Sequence, residues 1–128
     1  MSEHPWKTDD YFVSPWNYQE EANAGFDPPA KIEVHDVTLR DGEQQAGVEF
    51  TPDEKYRIAE LLAEAGVKRI EAGLPAVSSA DAEAVKRIAS AGLPARIFSF
   101  SRCMVEDVKK AVDAGVEGIV MEVPSSEH

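Results

Sequence analysis

The feature of this sequence that most constrains its fold is a repeated junction of alanine, glycine and an aliphatic residue. The three junctions are Ala65-Gly66-Val67, Ala91-Gly92-Leu93 and Ala114-Gly115-Val116, and they recur at intervals of 26 and 23 residues. A helical pattern precedes each junction and a short strand pattern follows it, which is typical of a repeating βα array. Helical crossovers of this length connect parallel strands with right-handed topology, so we expect a parallel sheet.

Four strands and three intervening helices are predicted along the chain. The strand patterns span residues 31–37, 67–72, 95–100 and 117–123. The first helix has the clearest start, because Thr51 suits the N-cap, Pro52 suits the first turn and Glu54 completes a capping box. The second helix is predicted to be capped by Ser79.

Each predicted helix carries apolar residues at helical spacing, and we expect these residues to face the core. The three stripes are Ile58, Leu61, Leu62 and Ala65; Ala84, Val85, Ile88 and Ala91; and Val105, Val108 and Val112. Cys103, at the start of the third helix, is expected to be a small buried residue. A single cysteine cannot form an intramolecular disulfide, which favours a reducing compartment.

Two architectures accept such an array, an open doubly wound sheet and a (β/α)8 TIM barrel. The loop after the first strand, residues 38–45, contains one glycine, so the glycine-rich dinucleotide fingerprint is absent. The similar repeating units favour the barrel. Because a barrel needs about 250 residues, we expect this α/β chain to supply about the first four strands and to be a fragment.

The first thirty residues differ in composition from the rest of the chain. They contain both tryptophans, two of the three tyrosines and four prolines, and their apolar residues follow no regular period. We therefore predict an irregular N-terminal extension over residues 1–30 and the barrel half over residues 31–128. The extension could pack its aromatic side chains onto the domain or onto a second subunit, or remain a partly disordered arm.

The charge of the chain argues against two classes of partner. The formal net charge is −11, and both nucleic acids and anionic membranes require basic surfaces. No apolar run approaches the length of a transmembrane helix, and the first residues lack the apolar core of a secretory signal. We expect a cytoplasmic protein.

Polar residues gather at the predicted carboxyl ends of the strands, where barrel enzymes place their active sites. They are Asp36, Thr38, Arg40, Asp41, Glu43, Gln44, Glu71, Ser99, Ser101, Arg102, Glu122, Ser125, Ser126, Glu127 and His128. The adjacent Arg40 and Asp41 could form a surface salt bridge. Alternatively, the carboxylate could bind a hard divalent cation while the guanidinium stabilises an enolate oxygen. Strand alternation predicts that His35 points away from Asp36, towards the helices.

The residues around these strand ends resemble the signature of the DRE-TIM metallolyase superfamily. The resemblance is carried by residues 36–48, from Asp36 to Val48, and by residues 70–76 at the second strand. Residues 98–102 and 125–128 are similar to the next two strand ends of that superfamily. The motifs follow one another in order over residues 31–128. The superfamily includes isopropylmalate, homocitrate and citramalate synthases, hydroxymethylglutaryl-CoA lyase and oxo-acid aldolases.

The resemblance implies a role for each matching residue. Arg40 corresponds to the catalytic arginine that stabilises the enolate and binds substrate, and Asp41 corresponds to the aspartate that binds the metal. Glu71 corresponds to a catalytic glutamate that organises the arginine, and Gln44 to a glutamine that contacts the substrate. Asp36 and Thr38 also match the signature, and we assign them a supporting role behind the residues that touch metal and substrate.

The resemblance also implies the reaction and its cofactors. Residues 43–44 and 71–75 are most similar to the condensing synthases, which favours an acyltransferase that joins acetyl-CoA to a 2-oxo acid in amino-acid biosynthesis. A divalent cation, Mg²⁺, Mn²⁺ or Zn²⁺, is implied, as is a homodimer at full length. Two alternatives remain open: a hydroxymethylglutaryl-CoA lyase or aldolase type of carbon–carbon lyase, and a non-catalytic half-barrel assembly module.

One departure from the superfamily concerns the metal site. The superfamily completes that site with a His-x-His pair on the seventh strand, whereas this sequence has three histidines, His4, His35 and His128, and no such pair. We therefore expect the chain alone to be inactive.

Overall fold

The computed structural model describes residues 4–27 and 29–126. The chain forms two compact units that divide between Ile32 and Glu33, whereas the composition change places the boundary after residue 30. The first unit contains a short 3-10 helix, Pro15–Tyr18, and a single helical turn, α1, Glu20–Asn23. An isolated antiparallel bridge joins Lys7 to Phe12.

The second unit is a four-stranded parallel sheet with alternating helices. Its strands and helices are β1 His35–Asp36, α2 Pro52–Glu64, β2 Arg69–Glu71, α3 Ser79–Ala89, β3 Arg96–Arg102, α4 Val105–Asp113 and β4 Gly118–Glu122. The spatial order is β1-β2-β3-β4, and every neighbouring pair is parallel. The order follows the sequence without reversal, as in part of a (β/α)8 barrel, whereas a doubly wound sheet reverses its order. The predicted fold class is confirmed.

The first strand is shorter than its predicted span of residues 31–37. Only His35 and Asp36 pair with the neighbouring strand β2, which itself has three residues. Ile32 and Val34 are therefore left exposed. The alternating pattern of residues 31–37 indicated a strand, but a strand lasts only as long as its partner continues beside it.

The hydrophobic core lies between one face of the sheet and the helices. Ile70 and Ile97 point from β2 and β3 into this core, where they meet Val85 and Ile88 of α3. The predicted N-terminal capping box of α2 is present, since Thr51 and Glu54 each accept the other's backbone N–H. The cap of α3 is Ser78 and not the predicted Ser79, because the Ser78 hydroxyl accepts the N–H of Asp81.

The predicted core-facing stripe is confirmed for α3 at Ala84, Val85 and Ile88, and in α2 Ile58 and Leu62 pack against the core. It is wrong for Leu61 of α2 and for Val105 and Val112 of α4, which are exposed. The buried residues of α2 are Lys55, Ala59 and Ala63, and those of α4 are Asp107 and Ala111. Small alanines let these helices approach the sheet closely, so the larger Leu61, Val105 and Val112 lie on exposed flanks. Cys103 is also exposed, contrary to prediction.

Within the described residues, no helix combines the length and the apolar character needed to span a membrane.

Candidate active site at the strand ends

A tight turn after β1 brings Arg40 and Asp41 to the carboxyl end of the sheet. The carbonyl of Val37 accepts the backbone N–H groups of Arg40 at 3.1 Å and of Asp41 at 2.8 Å. The carboxylate of Asp36 accepts the N–H of Thr38 at 2.9 Å and its hydroxyl at 3.2 Å. Asp36 and Thr38 thus shape the turn that carries the Arg40 and Asp41 side chains, which is compatible with the predicted supporting role.

The Arg40 guanidinium connects two carboxylates that belong to different strand ends. Its Nε donates to Glu71 Oε1 at 2.5 Å, and its Nη1 donates to Asp41 Oδ1 at 2.9 Å. Its Cζ lies 4.7 Å from the ring centroid of Phe100. The two hydrogen bonds and the aromatic ring hold the guanidinium plane in place, and Nη2 is not used by either bond.

Glu71 is the last residue of β2 and is only 2% exposed. Its neighbour Ile70 points into the helix-covered core, so Glu71 points to the opposite face of the sheet, which we call the open face. A buried carboxylate is costly unless it is paired and hydrogen-bonded. Arg40 supplies the charge, and the predicted association of Arg40 with Glu71 is therefore present in the fold.

His35 also lies on the open face, which makes the prediction that it faces the helices wrong. Its Nε2 is 3.1 Å from Glu71 Oε2, and its ring meets the ring of Phe98 edge-on at a centroid distance of 5.3 Å. The prediction assumed that Asp36 faces the open side, but the Asp36 carboxylate is engaged with the turn at Thr38. A two-residue strand is too short for alternation to reveal this from sequence.

A cavity of about 450 Å³ opens beside Arg40, between the turn after β1 and the N-terminal ends of α2 and α3. Gln44 is exposed and lines this cavity together with Arg40 and Leu74. Asp41 is outside the lining, and its side chain is 60% exposed. Asp41 and Gln44 are thus accessible to a ligand.

Asp41 is the candidate metal ligand among the residues that the structure describes. Residues 4–27 and 29–126 contain no group of three or more His, Cys, Asp or Glu residues able to hold a metal ion. Asp41 Oδ1 accepts from Arg40, which leaves Oδ2 as a hard oxygen ligand of the type that Mg²⁺ and Mn²⁺ prefer. Asp41 therefore fits a divalent cation as one ligand of a larger set.

A second buried ionic network, which the sequence analysis missed, lies on the helix side of the same turn. Lys55 Nζ is 2.7 Å from Glu43 Oε2 and 2.5 Å from Asp81 Oδ1, and the Lys55 residue is 3% exposed. Glu43 Oε1 also accepts the N–H of Phe50 at 2.9 Å. The signal for this network was the spacing of four residues that places Lys55 in line with the buried Ala59 of α2.

The protonation of this network follows from its contacts. Burial lowers the pKa of the Lys55 ammonium, but the hydrogen bonds to Asp81 and Glu43 outweigh burial and raise that pKa above its ordinary value. Burial raises the pKa of Asp81, yet the hydrogen bonds from Lys55 and Ser78 outweigh it and hold the pKa below its ordinary value. Lys55 and Asp81 are therefore both ionised near neutral pH.

The remaining strand-end residues do not join Arg40. Ser99 and Ser101 are fully buried, in positions that alternate with the open-face Phe98 and Phe100, so they point towards the helices. Arg102 donates to Asp107 at 2.5 Å, and this hydrogen bond lowers the pKa of Asp107. Three more of the predicted strand-end residues are exposed to solvent, namely Glu122, Ser125 and Ser126. The predictions for Glu127 and His128 lie outside the described residues.

Comparison with known proteins places this site in a family. Homocitrate synthase AksA of Methanopyrus kandleri is 47% identical over 110 residues, which cover 86% of this chain and 28% of that protein. The putative (R)-citramalate synthase CimA of the same organism is 48% identical over 107 residues, covering 84% of this chain and 21% of that protein. The probable 2-isopropylmalate synthase of Ignicoccus hospitalis is 46% identical over 99 residues, covering 77% and 25%.

The chain thus spans between 21% and 28% of the length of these three relatives. A family model described as HMGL-like matches residues 31–128, the same residues that carry the DRE-TIM resemblance. The compositionally distinct first thirty residues fall outside that match. The chain therefore belongs to the HMGL-like family, and its resemblance to the DRE-TIM metallolyases is confirmed.

Proposed function

We propose that the protein containing this chain catalyses a metal-dependent Claisen condensation of acetyl-CoA with a 2-oxo acid. The observation that carries this proposal is the Arg40 guanidinium, held between the buried Glu71 and the exposed Asp41 at neighbouring strand ends. A fixed cation with an unused N–H edge is suited to an oxygen on which negative charge develops. The relatives named as homocitrate, citramalate and isopropylmalate synthases support this reaction class.

Arg40 is proposed to act through its free Nη2. Nε and Nη1 are committed to Glu71 and Asp41, so the guanidinium presents Nη2 in a fixed orientation and needs little rearrangement during the reaction. Glu71 is proposed to orient Arg40, because one oxygen of its buried carboxylate accepts the Arg40 Nε–H. Asp41 is proposed as one ligand of the divalent cation, which polarises the keto group of the substrate when bound.

The 2-oxo acid is proposed to bind beside Arg40, with Gln44 as a hydrogen-bonding contact. Gln44 and Arg40 line the same cavity, and its volume of about 450 Å³ is in the range of small-molecule sites. In the proposed reaction a base removes a proton from the acetyl-CoA methyl group. The enolate forms a carbon–carbon bond with the keto carbon, the keto oxygen takes up a proton, and hydrolysis of the thioester releases free coenzyme A.

The proposal is tested in a hybrid enzyme. The whole chain replaces the matching N-terminal segment of homocitrate synthase AksA from Methanopyrus kandleri, to which it is 47% identical. Thiol release from acetyl-CoA is then measured with 2-oxoglutarate, pyruvate and 3-methyl-2-oxobutanoate, with and without added divalent cation. The matched control is the Arg40→Lys hybrid, which keeps the charge but loses the planar fork.

We expect acceptor-dependent thiol release that requires a divalent cation and is lost in the Arg40→Lys hybrid. A folded hybrid that releases no thiol with any of the three acceptors contradicts the proposal. A hybrid that instead cleaves 3-hydroxy-3-methylglutaryl-CoA assigns the same residues to a lyase.

A further inference from the structure

The Glu71 carboxylate has two oxygens, and the two are bonded to different elements. Oε1 accepts from Arg40 Nε on the turn after β1, whereas Oε2 faces His35 Nε2 on β1 itself at 3.1 Å. An ionised carboxylate has no proton to donate, so this contact is a hydrogen bond only when His35 Nε2 carries the proton. The arrangement therefore selects the forms of the imidazole ring in which Nε2 carries a proton.

The His35 ring is itself held in a fixed orientation. Its side chain is 25% exposed, and it meets the ring of Phe98 edge-on. The Phe98 ring in turn lies beside Gly118 of β4, where an added Cβ atom would overlap the ring. Because Gly118 has no side chain, the Phe98 ring can occupy this space. Phe98 then makes the edge-on contact with the His35 ring.

The consequence for Arg40 follows from geometry. A carboxylate that is bonded through one oxygen can rotate about its terminal torsion, which has a broad energy profile. A second hydrogen bond at the other oxygen fixes the carboxylate plane, and that plane sets the direction of the Arg40 Nε–H bond. Because the guanidinium is planar, fixing Nε and Nη1 also fixes the direction of Nη2.

We propose that His35 is a positioning residue that acts through Glu71 to aim the Arg40 guanidinium. This inference rests on the proposed function, because it assigns His35 a part in the same reaction. His35 donates from Nε2 to Glu71 Oε2 in the neutral or the protonated state, and it does not touch the substrate.

The first test reads the hydrogen bond without any enzymatic assay. In the intact chain labelled with ¹⁵N-histidine, the His35 ring is observed by NMR at about pH 9, where an ordinary histidine is neutral. The His35→Gln variant identifies the His35 signals among those of the three histidines. We expect the tautomer with the proton on Nε2, and the tautomer with the proton on Nδ1 overturns the proposal.

The second test reads the coupling to Arg40. Exchange of the Arg40 Nε–H with solvent is measured by NMR in the chain and in its His35→Leu and His35→Gln variants. We expect exchange about tenfold faster in His35→Leu, because the hydrogen bond to a charged group is lost, and unchanged in His35→Gln, whose amide N–H reaches the same place. Equal exchange in all three proteins overturns the proposal. Arg40→Lys identifies the signal.

The third test uses the hybrid enzyme. His35→Leu is expected to lower kcat about ten- to hundredfold with the KM values for both substrates nearly unchanged, because the loss falls on an interaction used in the transition state. His35→Gln is expected to retain kcat within about threefold. Equal losses in the two variants, or a loss confined to KM, overturn the positioning role. An inactive parent hybrid contradicts the proposed function alone, because the two NMR tests still decide the role of His35.

Discussion

Two ionic networks lie on opposite sides of the turn after β1, and they differ in how many of the cation's nitrogens their ion pairs use. On the helix side, Lys55 is enclosed by Glu43 and Asp81, and the residue is 3% exposed. On the open face, Arg40 is held by Glu71 and Asp41, and its side chain is 18% exposed. The Lys55 ammonium contacts both Glu43 and Asp81, whereas the bonds from Arg40 to Glu71 and Asp41 use Nε and Nη1 and do not use Nη2.

We propose that this difference separates a structural role for Lys55 from a chemical role for Arg40. Lys55 of α2 pairs with Glu43 on the turn and with Asp81 in the first turn of α3, so its charge links three segments of the chain. Arg40 is bonded to Glu71 through Nε and to Asp41 through Nη1. It lines the cavity beside Gln44, which the lysine network also borders. We propose that ionic pairing stabilises the fold in the lysine network and orients a binding group in the arginine network.

The largest expected effect is on the open face. In the hybrid enzyme, Arg40→Lys should lower kcat about a hundred- to a thousandfold, the usual effect of losing one fixed donor to a developing oxyanion. The measurement is steady-state thiol release, with circular dichroism to confirm an unchanged fold. Near-normal turnover in Arg40→Lys would contradict the proposed chemical role of Arg40 and leave both networks with a structural role.

A substitution in the helix-side network should instead lower the stability of the fold. Lys55→Met keeps the length of the side chain but leaves Glu43 and Asp81 without their cation, which should destabilise the chain by about 3 kcal/mol. Urea unfolding followed by circular dichroism measures this loss. Lys55→Arg is the matched control, because it keeps the charge. An unchanged unfolding midpoint in Lys55→Met would show that the network contributes nothing to stability.

Part of the loss of folding stability at acidic pH should come from protonation of Asp81. Its pKa is held below the ordinary value by Lys55 and Ser78. The stabilisation from Asp81 is therefore present above the unfolded pKa of about 3.9 and is lost as pH falls through the lower folded pKa. Urea midpoints measured from about pH 6 to pH 3 should fall less steeply in Asp81→Asn than in the unmodified chain. Parallel curves would contradict this assignment.

The smallest expected effect is at the cap that completes the lysine network. Ser78 accepts the N–H of Asp81 at 3.1 Å and donates its hydroxyl to the Asp81 carboxylate at 2.6 Å. Ser78→Ala should cost about 1 kcal/mol of stability, the usual value of an N-cap. Ser79→Ala, one residue later, is the control and should have no measurable effect. A larger loss of stability in Ser79→Ala than in Ser78→Ala would instead support Ser79 as the N-cap, as predicted from sequence.

Much of the candidate site could be predicted from sequence, because its central residues are adjacent in the chain or lie at strand ends. Arg40 and Asp41 follow one strand, Glu71 ends the next, and parallel strands bring their carboxyl ends together. His35 could not be placed, since a two-residue strand gives no alternation to read. Lys55 was not singled out from the sequence, since a lysine is buried only where partners exist, and its partners are 12 and 26 residues away.

The sequence by itself determined the alternation of strands and helices, the parallel sheet, the capping box at Thr51 and the family, because each of these depends on local spacing or on motifs in order. The tertiary structure alone decided which face each helix buries, how long β1 remains a strand and which groups share the Glu71 carboxylate. These features depend on the segments that lie opposite in space. A side chain is buried, paired or left free according to its neighbours across the fold, and its neighbours along the chain do not specify them.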